Sequence, residues 1–148
     1  MIITIYELDE NLELELSKIV GKKHVSTDEF ILISYSEDAS PYEGTLPQVV
    51  ARPHSTEEVS RIMKLATELK VPVIPVGGRS SINGATIPRV DNAIMIDLTG
   101  MKEIIDINED NMTVTIQSGI TWSGLIHKIK KKGFKLGFRG PYGGNAGT

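Results

Sequence analysis

The chain contains no cysteine. Disulfides, thiolate metal sites, cysteine nucleophiles and cysteinyl cofactor links are thereby excluded, and the composition fits a cytoplasmic protein without requiring one. A basic surplus is also missing: 16 Lys and Arg against 19 Asp and Glu leave a net charge of −3. That balance gives no electrostatic footprint for nucleic acid. No apolar run approaches the roughly 20 residues of a membrane-spanning helix. The opening MIITIYELDE lacks the basic start and small-residue cleavage site of a secretory leader. His24, His54 and His127 lie too far apart to form a local metal motif. Internal repeats and low-complexity tracts are absent as well. What is there is one domain's worth of ordinary globular chain: 148 residues, 40% hydrophobic and 24% charged. That length is enough to bury a real core.

The pattern divides the chain into three parts. Residues 1–47 form a leading segment. Leu12, Leu16, Ile19 and Val20 recur at helical spacing and Gly21 supplies a C-terminal cap, although Leu12–Leu16 also alternates like a strand. The abundance of Glu, Leu and Lys favours the helix. A short apolar run, Phe30–Ile33, precedes the polar stretch Tyr35–Tyr42, which is expected to cross the surface. Residues 48–98 are the first α/β lobe. Gln48–Arg52 reads as a strand ended by Pro53. Ser55-Thr56-Glu57-Glu58 is a capping box, with Ser55 capping the helix and Glu58 bonding back to the Ser55 amide. Val59, Ile62, Met63, Ala66 and Leu69 then form an apolar stripe. The helix must stop before Pro72. Val73–Val76 and Ala93–Leu98 are further strands, the latter buried on both faces. Strand, helix and strand in about 30 residues make a right-handed βαβ unit.

Residues 99–148 change character. Ile104–Ile107 and Met112–Gln117 read as a hairpin joined at Asn108–Asn111. Thr121 caps a helix with Trp122, Leu125, Ile126 and Ile129 on its apolar face. Lys128, Lys130, Lys131 and Lys132 crowd its last turns as a solvated helix end, before Gly133. Trp122 is expected in the core. Gly137, Gly140, Gly143, Gly144 and Gly147 put five glycines in the last twelve residues. Such a tail is either a frayed end or the beginning of a second backbone-lined ligand loop.

The candidate site is the stretch Val73–Pro88. A buried strand ending at Val76 runs directly into Gly77, Gly78, Arg79, Ser80 and Ser81, then Asn83 and Gly84. Backbone amides, two hydroxyls and a guanidinium are thus concentrated at a strand end. Such a turn can be a nest for an anion, phosphate above all, or simply a surface loop. Its place after the second strand of a βαβ unit favours a ligand, because ligands of such sheets sit beyond the strands' carboxyl ends.

Several collinear motifs carry a family resemblance. Tyr35-Ser36-Glu37-Asp38-Ala39-Ser40, Val49-Val50-Ala51-Arg52-Pro53 with Ser55–Val59, and Pro75–Ser81 are followed in order by Ile96-Asp97-Leu98, Asn111–Val114 and Ser118–Trp122. Over roughly residues 30–148 the chain resembles the FAD-linked oxidases of the vanillyl-alcohol oxidase/p-cresol methylhydroxylase type, in the glycolate oxidase GlcD-like and D-lactate dehydrogenase-like branch. The resemblance implies an α+β fold: a p-cresol-methylhydroxylase-type FAD-binding domain, here its first α/β lobe and the start of the second, antiparallel lobe. It also implies non-covalent FAD, with the pyrophosphate wrapped by Val76, Gly77, Gly78, Arg79, Ser80, Ser81, Asn83 and Gly84. Ala146-Gly147-Thr148 looks like the beginning of the family's second glycine loop.

Arg79 stands where relatives often have glycine, and Val76 where arginine is frequent. Arg79 could pair with phosphate or occlude the loop. No general base or substrate pocket is visible, so turnover is not expected from these residues alone. Full-length relatives would transfer hydride from a 2-hydroxy acid to the flavin. The implied partners are FAD and a missing C-terminal domain or partner chain, with self-association open. The implied location is cytoplasmic, compatible with peripheral membrane attachment of a full enzyme. Two alternatives stand beside this reading: a non-catalytic module acting through protein association, and a fragment of a UDP-N-acetylenolpyruvoylglucosamine reductase-like flavoenzyme.

Overall fold

The computed structural model describes residues 10–138, Gly140 and Gly147. Its first sheet is built around a strand buried along its whole length. Strands β1 (Val25–Ser26), β2 (Val49–Ala51), β3 (Val73–Val76) and β4 (Ile94–Asp97) form a sheet in the order β1-β2-β4-β3. β4 lies between β2 and β3, parallel to both, and β1 joins the edge of β2 antiparallel. All four residues of β4 are buried. The sequence IMID shows no polar alternation because helices cover both faces of the sheet.

Side chains of a strand alternate between faces, so β4 serves two cores. Ile94 and Ile96 pack with Val49, Ala51, Ile62 and Ala66 beneath α1 (Glu10–Val20) and α3 (Thr56–Leu69). Met95 packs on the opposite face with Val50, Val76, Leu32 and Tyr35, the last two from α2 (Glu29–Tyr35). α2 is the apolar run Phe30–Ile33, started by Asp28, whose carboxylate accepts from the amides of Phe30 and Ile31 at 2.9 and 3.3 Å. Tyr35 departs from the surface crossing expected of Tyr35–Tyr42. It closes α2 and is buried, whereas Tyr42 is exposed.

α3 begins as its capping box requires, with Ser55 Oγ accepting from the Glu58 amide at 3.1 Å. The return bond differs by one residue: the Glu58 carboxylate accepts from the His54 amide at 2.7 Å, not from Ser55. The buried stripe of α3 is Ile62 and Ala66, flanked by Leu65, while Met63 and Leu69 stand 43% and 42% exposed. The helix stops at Lys70 in the left-handed conformation, two residues before Pro72.

Beyond β4, strands β5 (Ile104–Asn108) and β6 (Thr113–Ile116) pair antiparallel, and α4 (Trp122–Lys130) covers one face of the hairpin. Ile120, Leu125 and Ile129 form this smaller core with Ile107, Val114, Trp122 and Phe134 around them. Thr121 caps α4 through the Gly124 amide at 3.1 Å, and Lys130, Lys131 and Lys132 are exposed at its end. Gly119 joins the two units: its amide donates to the Met101 carbonyl at 2.8 Å, and a side chain there would run into the Leu98 and Met101 carbonyls. Most of the glycine-rich tail (141–146 and 148) lies outside the described residues, including Ala146 and Thr148 of the expected second loop. No helix among the described residues is long and apolar enough to cross a membrane.

Candidate cofactor-binding site

The carboxyl ends of β2, β4 and β3 lie side by side, because these three strands are parallel and Val76 is in register with Asp97. Arg52 follows β2, Asp97 ends β4, and the glycine loop leaves β3. The sheet therefore gathers all three motifs at one edge, where open α/β sheets hold their ligands.

Val76 is fully buried and anchors the loop in the core. After it the chain surfaces: Gly77, Ser80 and Ser81 are half-buried, Gly78 and Arg79 exposed. Among the described residues, no acceptor takes a hydrogen bond from the amides of Gly78, Arg79, Ser80 or Ser81. Arg79 adopts φ 53, the left-handed conformation that recurs in anion-binding nests. Gly147, the described residue of the expected second glycine loop, pairs with Thr121. It lies so close that a Cβ on it would stand 2.9 Å from the Gly78 amide nitrogen. Gly147 thus meets Gly78 beside amides that no described residue engages. A polyanion such as the pyrophosphate of FAD fits that donor set.

The predicted residues are not all placed alike. The far half of the loop is folded on itself: Ser81 Oγ donates to Asn83 Oδ1 at 2.7 Å, and both oxygens accept from the Ala85 amide at 3.3 and 3.2 Å. Gly84 takes φ 72, where a side chain would meet Arg89 and the Tyr42 ring. Asp38 braces this half from outside, accepting from the Ser40 amide at 2.8 Å and from Thr86 Oγ1 at 3.3 Å. Those bonds, the Ser40 side chain first, hold its carboxyl below the ordinary value. The Arg79 side chain neither enters nor occludes the loop. Its guanidinium donates to the Ser34 carbonyl and, at 3.1 Å, to the Glu37 carbonyl, and stacks 4.7 Å over the Tyr35 ring.

Beside the loop is a buried polar group that no local motif announces. Tyr35 donates to Asp97 Oδ2 at 2.6 Å, and Arg52 Nε donates to the same oxygen at 2.9 Å. Arg52 Nη2 also donates to the Tyr35 hydroxyl at 3.2 Å. Thr99 occupies Oδ1 with its amide at 2.9 Å and its hydroxyl at 2.6 Å. Burial alone would push the Asp97 carboxyl up, but the Thr99 and Tyr35 bonds and the Arg52 charge outweigh it and hold the group below its ordinary value. Burial, then the neighbouring carboxylate, raise the Tyr35 phenol. The available signal was an aspartate closing an otherwise apolar central strand, a position that demands partners. The fold also brings two distant histidines together, His24 and His54, with ring centroids 4.4 Å apart. Among the described residues they have no third ligand for a metal.

Comparison with known proteins places the chain in a family. Residues 47–148 match the family described as FAD binding domain. The chain is 28% identical over 126 residues to glycolate oxidase subunit GlcD of Bacillus subtilis (strain 168), covering 85% of this chain and 27% of that protein. It is 32% identical over 121 residues to D-lactate dehydrogenase of Anaerostipes hadrus, covering 81% and 25%. The chain thus spans about a quarter of the length of these curated relatives. An alkyldihydroxyacetonephosphate synthase structure superposes with a TM-score of 0.81 at 26% identity, covering 93% of this chain and 27% of that one. Substrate-bound p-cresol methylhydroxylase superposes at 0.74 with 19% identity over 83% and 24%, a likeness of fold alone. The expected fold is found, and neither the association-module nor the reductase-like alternative is favoured by these relatives. The chain belongs to the FAD binding domain family of flavin oxidoreductases, related to glycolate oxidase and D-lactate dehydrogenase, with FAD as its cofactor.

Proposed function

We propose that the loop after β3 holds the FAD pyrophosphate. Val76 anchors it, and Gly77, Gly78, Arg79 and Ser80 present their amides, with the Ser80 hydroxyl alongside. Ser81, Asn83 and Gly84 fold the far end so that those amides stay on one side. The reading rests on one observation: amides at the sheet's carboxyl edge that no described residue engages, approached closely by Gly147. Backbone donors suit this task because they hold phosphate oxygens without a side chain to reorganise. Bound FAD supplies hydride-accepting chemistry, and the residues described here bind and orient its phosphates.

In the lobe division we propose, residues 48–98 form the first FAD-binding lobe and 99–148 the incomplete start of the second, with 1–47 leading in. By itself the chain is a binding unit without turnover. Oxidation of a 2-hydroxy acid belongs to an assembly in which a further domain or partner chain supplies the substrate pocket, in a cytoplasmic setting. The rest of the second lobe would lie against the β5–β6 hairpin, whose Ile105 and neighbouring Met112 are 65% and 83% exposed. Fluorescence titration of the chain with FAD tests the binding claim. Saturable quenching is expected, lost in Gly78→Asp, which adds bulk and negative charge beside the amides. Equal binding by Gly78→Asp would contradict the loop assignment.

A further inference from the structure

We propose that Arg79 is a positioning residue, a latch that sets the shape of the glycine loop rather than a ligand of the phosphate. The inference deepens the pyrophosphate reading above and rests on it. Three observations carry it. Arg79 is a non-glycine residue held at φ 53, a conformation that a side chain disfavours and that persists only where its surroundings impose it. Its Nη2 donates to both the Ser34 and Glu37 carbonyls at the C-terminal end of α2, where a cation is favoured by the helix-end carbonyls. The same group stacks on Tyr35, whose hydroxyl is tied to Asp97 on the central strand.

The loop is therefore tied to the core a second time, through Arg79 to Tyr35 to Asp97 of β4, on the same face of the sheet where Val76 is packed. With Nη2 on the two carbonyls and its plane over Tyr35, the guanidinium is held against the end of α2. It leaves the loop amides free while fixing the turn at Arg79. Its positive charge still favours an anion nearby, but the latch uses its planar shape, which stacks on Tyr35 while Nη2 donates to the two carbonyls. Lysine retains the charge and lacks the shape.

The test compares wild type, Arg79→Ala, Arg79→Lys and Gly78→Asp, using backbone NMR order parameters without FAD and FAD affinity by fluorescence. Arg79 is exposed, so these variants are expected to fold, which far-UV circular dichroism checks. The latch predicts that order parameters at Gly78–Ser81 fall from about 0.85 to below about 0.6 in Arg79→Ala before any FAD is added. FAD affinity should drop on the order of tenfold, the weight of one charge-assisted bond, with Arg79→Lys restoring neither in full. Unchanged order parameters in Arg79→Ala would overturn the latch, as would full recovery of affinity by Arg79→Lys. If the loop loosens but affinity holds, Gly78→Asp separates the two failures. Lost binding in Gly78→Asp would mean the latch does not serve the cradle. Retained binding there would mean the pyrophosphate reading itself has failed.

Discussion

In the first sheet the central strand β4 is buried on every residue, flanked by parallel strands and covered by helices on both sides. In the β5–β6 hairpin the threonines of β6 are exposed, its apolar residues are half-buried, and α4 shields one face. Among the described residues, the same chain thus contains a sheet covered on both faces and a hairpin covered on one. The glycine loop leaves the sheet. Its inner end is rooted in Val76, and Tyr35 and Asp97 brace it from the neighbouring elements. A cradle for phosphates needs donors that do not move, and the proposed one leaves the sheet whose central strand is buried throughout.

Core truncations should expose the contrast most strongly. Ile94→Ala removes a fully buried side chain between two layers and is expected to cost about 4 kcal/mol, against about 1 kcal/mol for the half-buried Val114→Ala in β6. Equal losses by chemical denaturation would erase the distinction between the units. Gly119→Val strikes the joint, driving a side chain into the Leu98 and Met101 carbonyls, and should cost about 3 kcal/mol. A near-neutral result would show that the two units are not held together there.

Asp97→Asn tests the polar brace, with an expected loss of about 2 kcal/mol, below the full cost of breaking a buried pair because Arg52 is partly exposed. The pH dependence has a definite sign. The folded Asp97 carboxyl titrates below its ordinary 3.8, so its stabilisation is present above that pH and is lost as acid drives it through the folded value. Urea midpoints measured from neutral to acid pH should therefore fall less steeply in Asp97→Asn than in wild type. Parallel slopes would remove Asp97 from the account. At the small end, Lys128→Gln breaks the solvent-facing pair between Lys128 and Glu103 and should leave the unfolding midpoint unchanged within error.

How far the sequence carried depends on whether a feature is local. Ser55 with Glu58, the Pro72 stop, the apolar β4 and the Thr121 cap are each written within a few residues, and the elements stand where those signals put them. The glycine loop was legible for the same reason, since strand, glycines and hydroxyls are contiguous. α2 was not, because seven residues rich in Ile and Phe carry no period long enough to separate helix from strand. With α2 unassigned, Tyr35 fell in a surface stretch, and its bond to Asp97, 62 positions away, had no local trace. The direction of Arg79 was hidden for the same cause. Its acceptors are backbone carbonyls at the end of a helix that only the folded sheet positions.

The most direct measurement is amide chemical-shift mapping of the labelled chain during titration with FAD. The account predicts the largest changes at Gly77, Gly78, Arg79 and Ser80, with Gly147 responding because it lies against Gly78. Saturable changes elsewhere, with those amides unmoved, would contradict it.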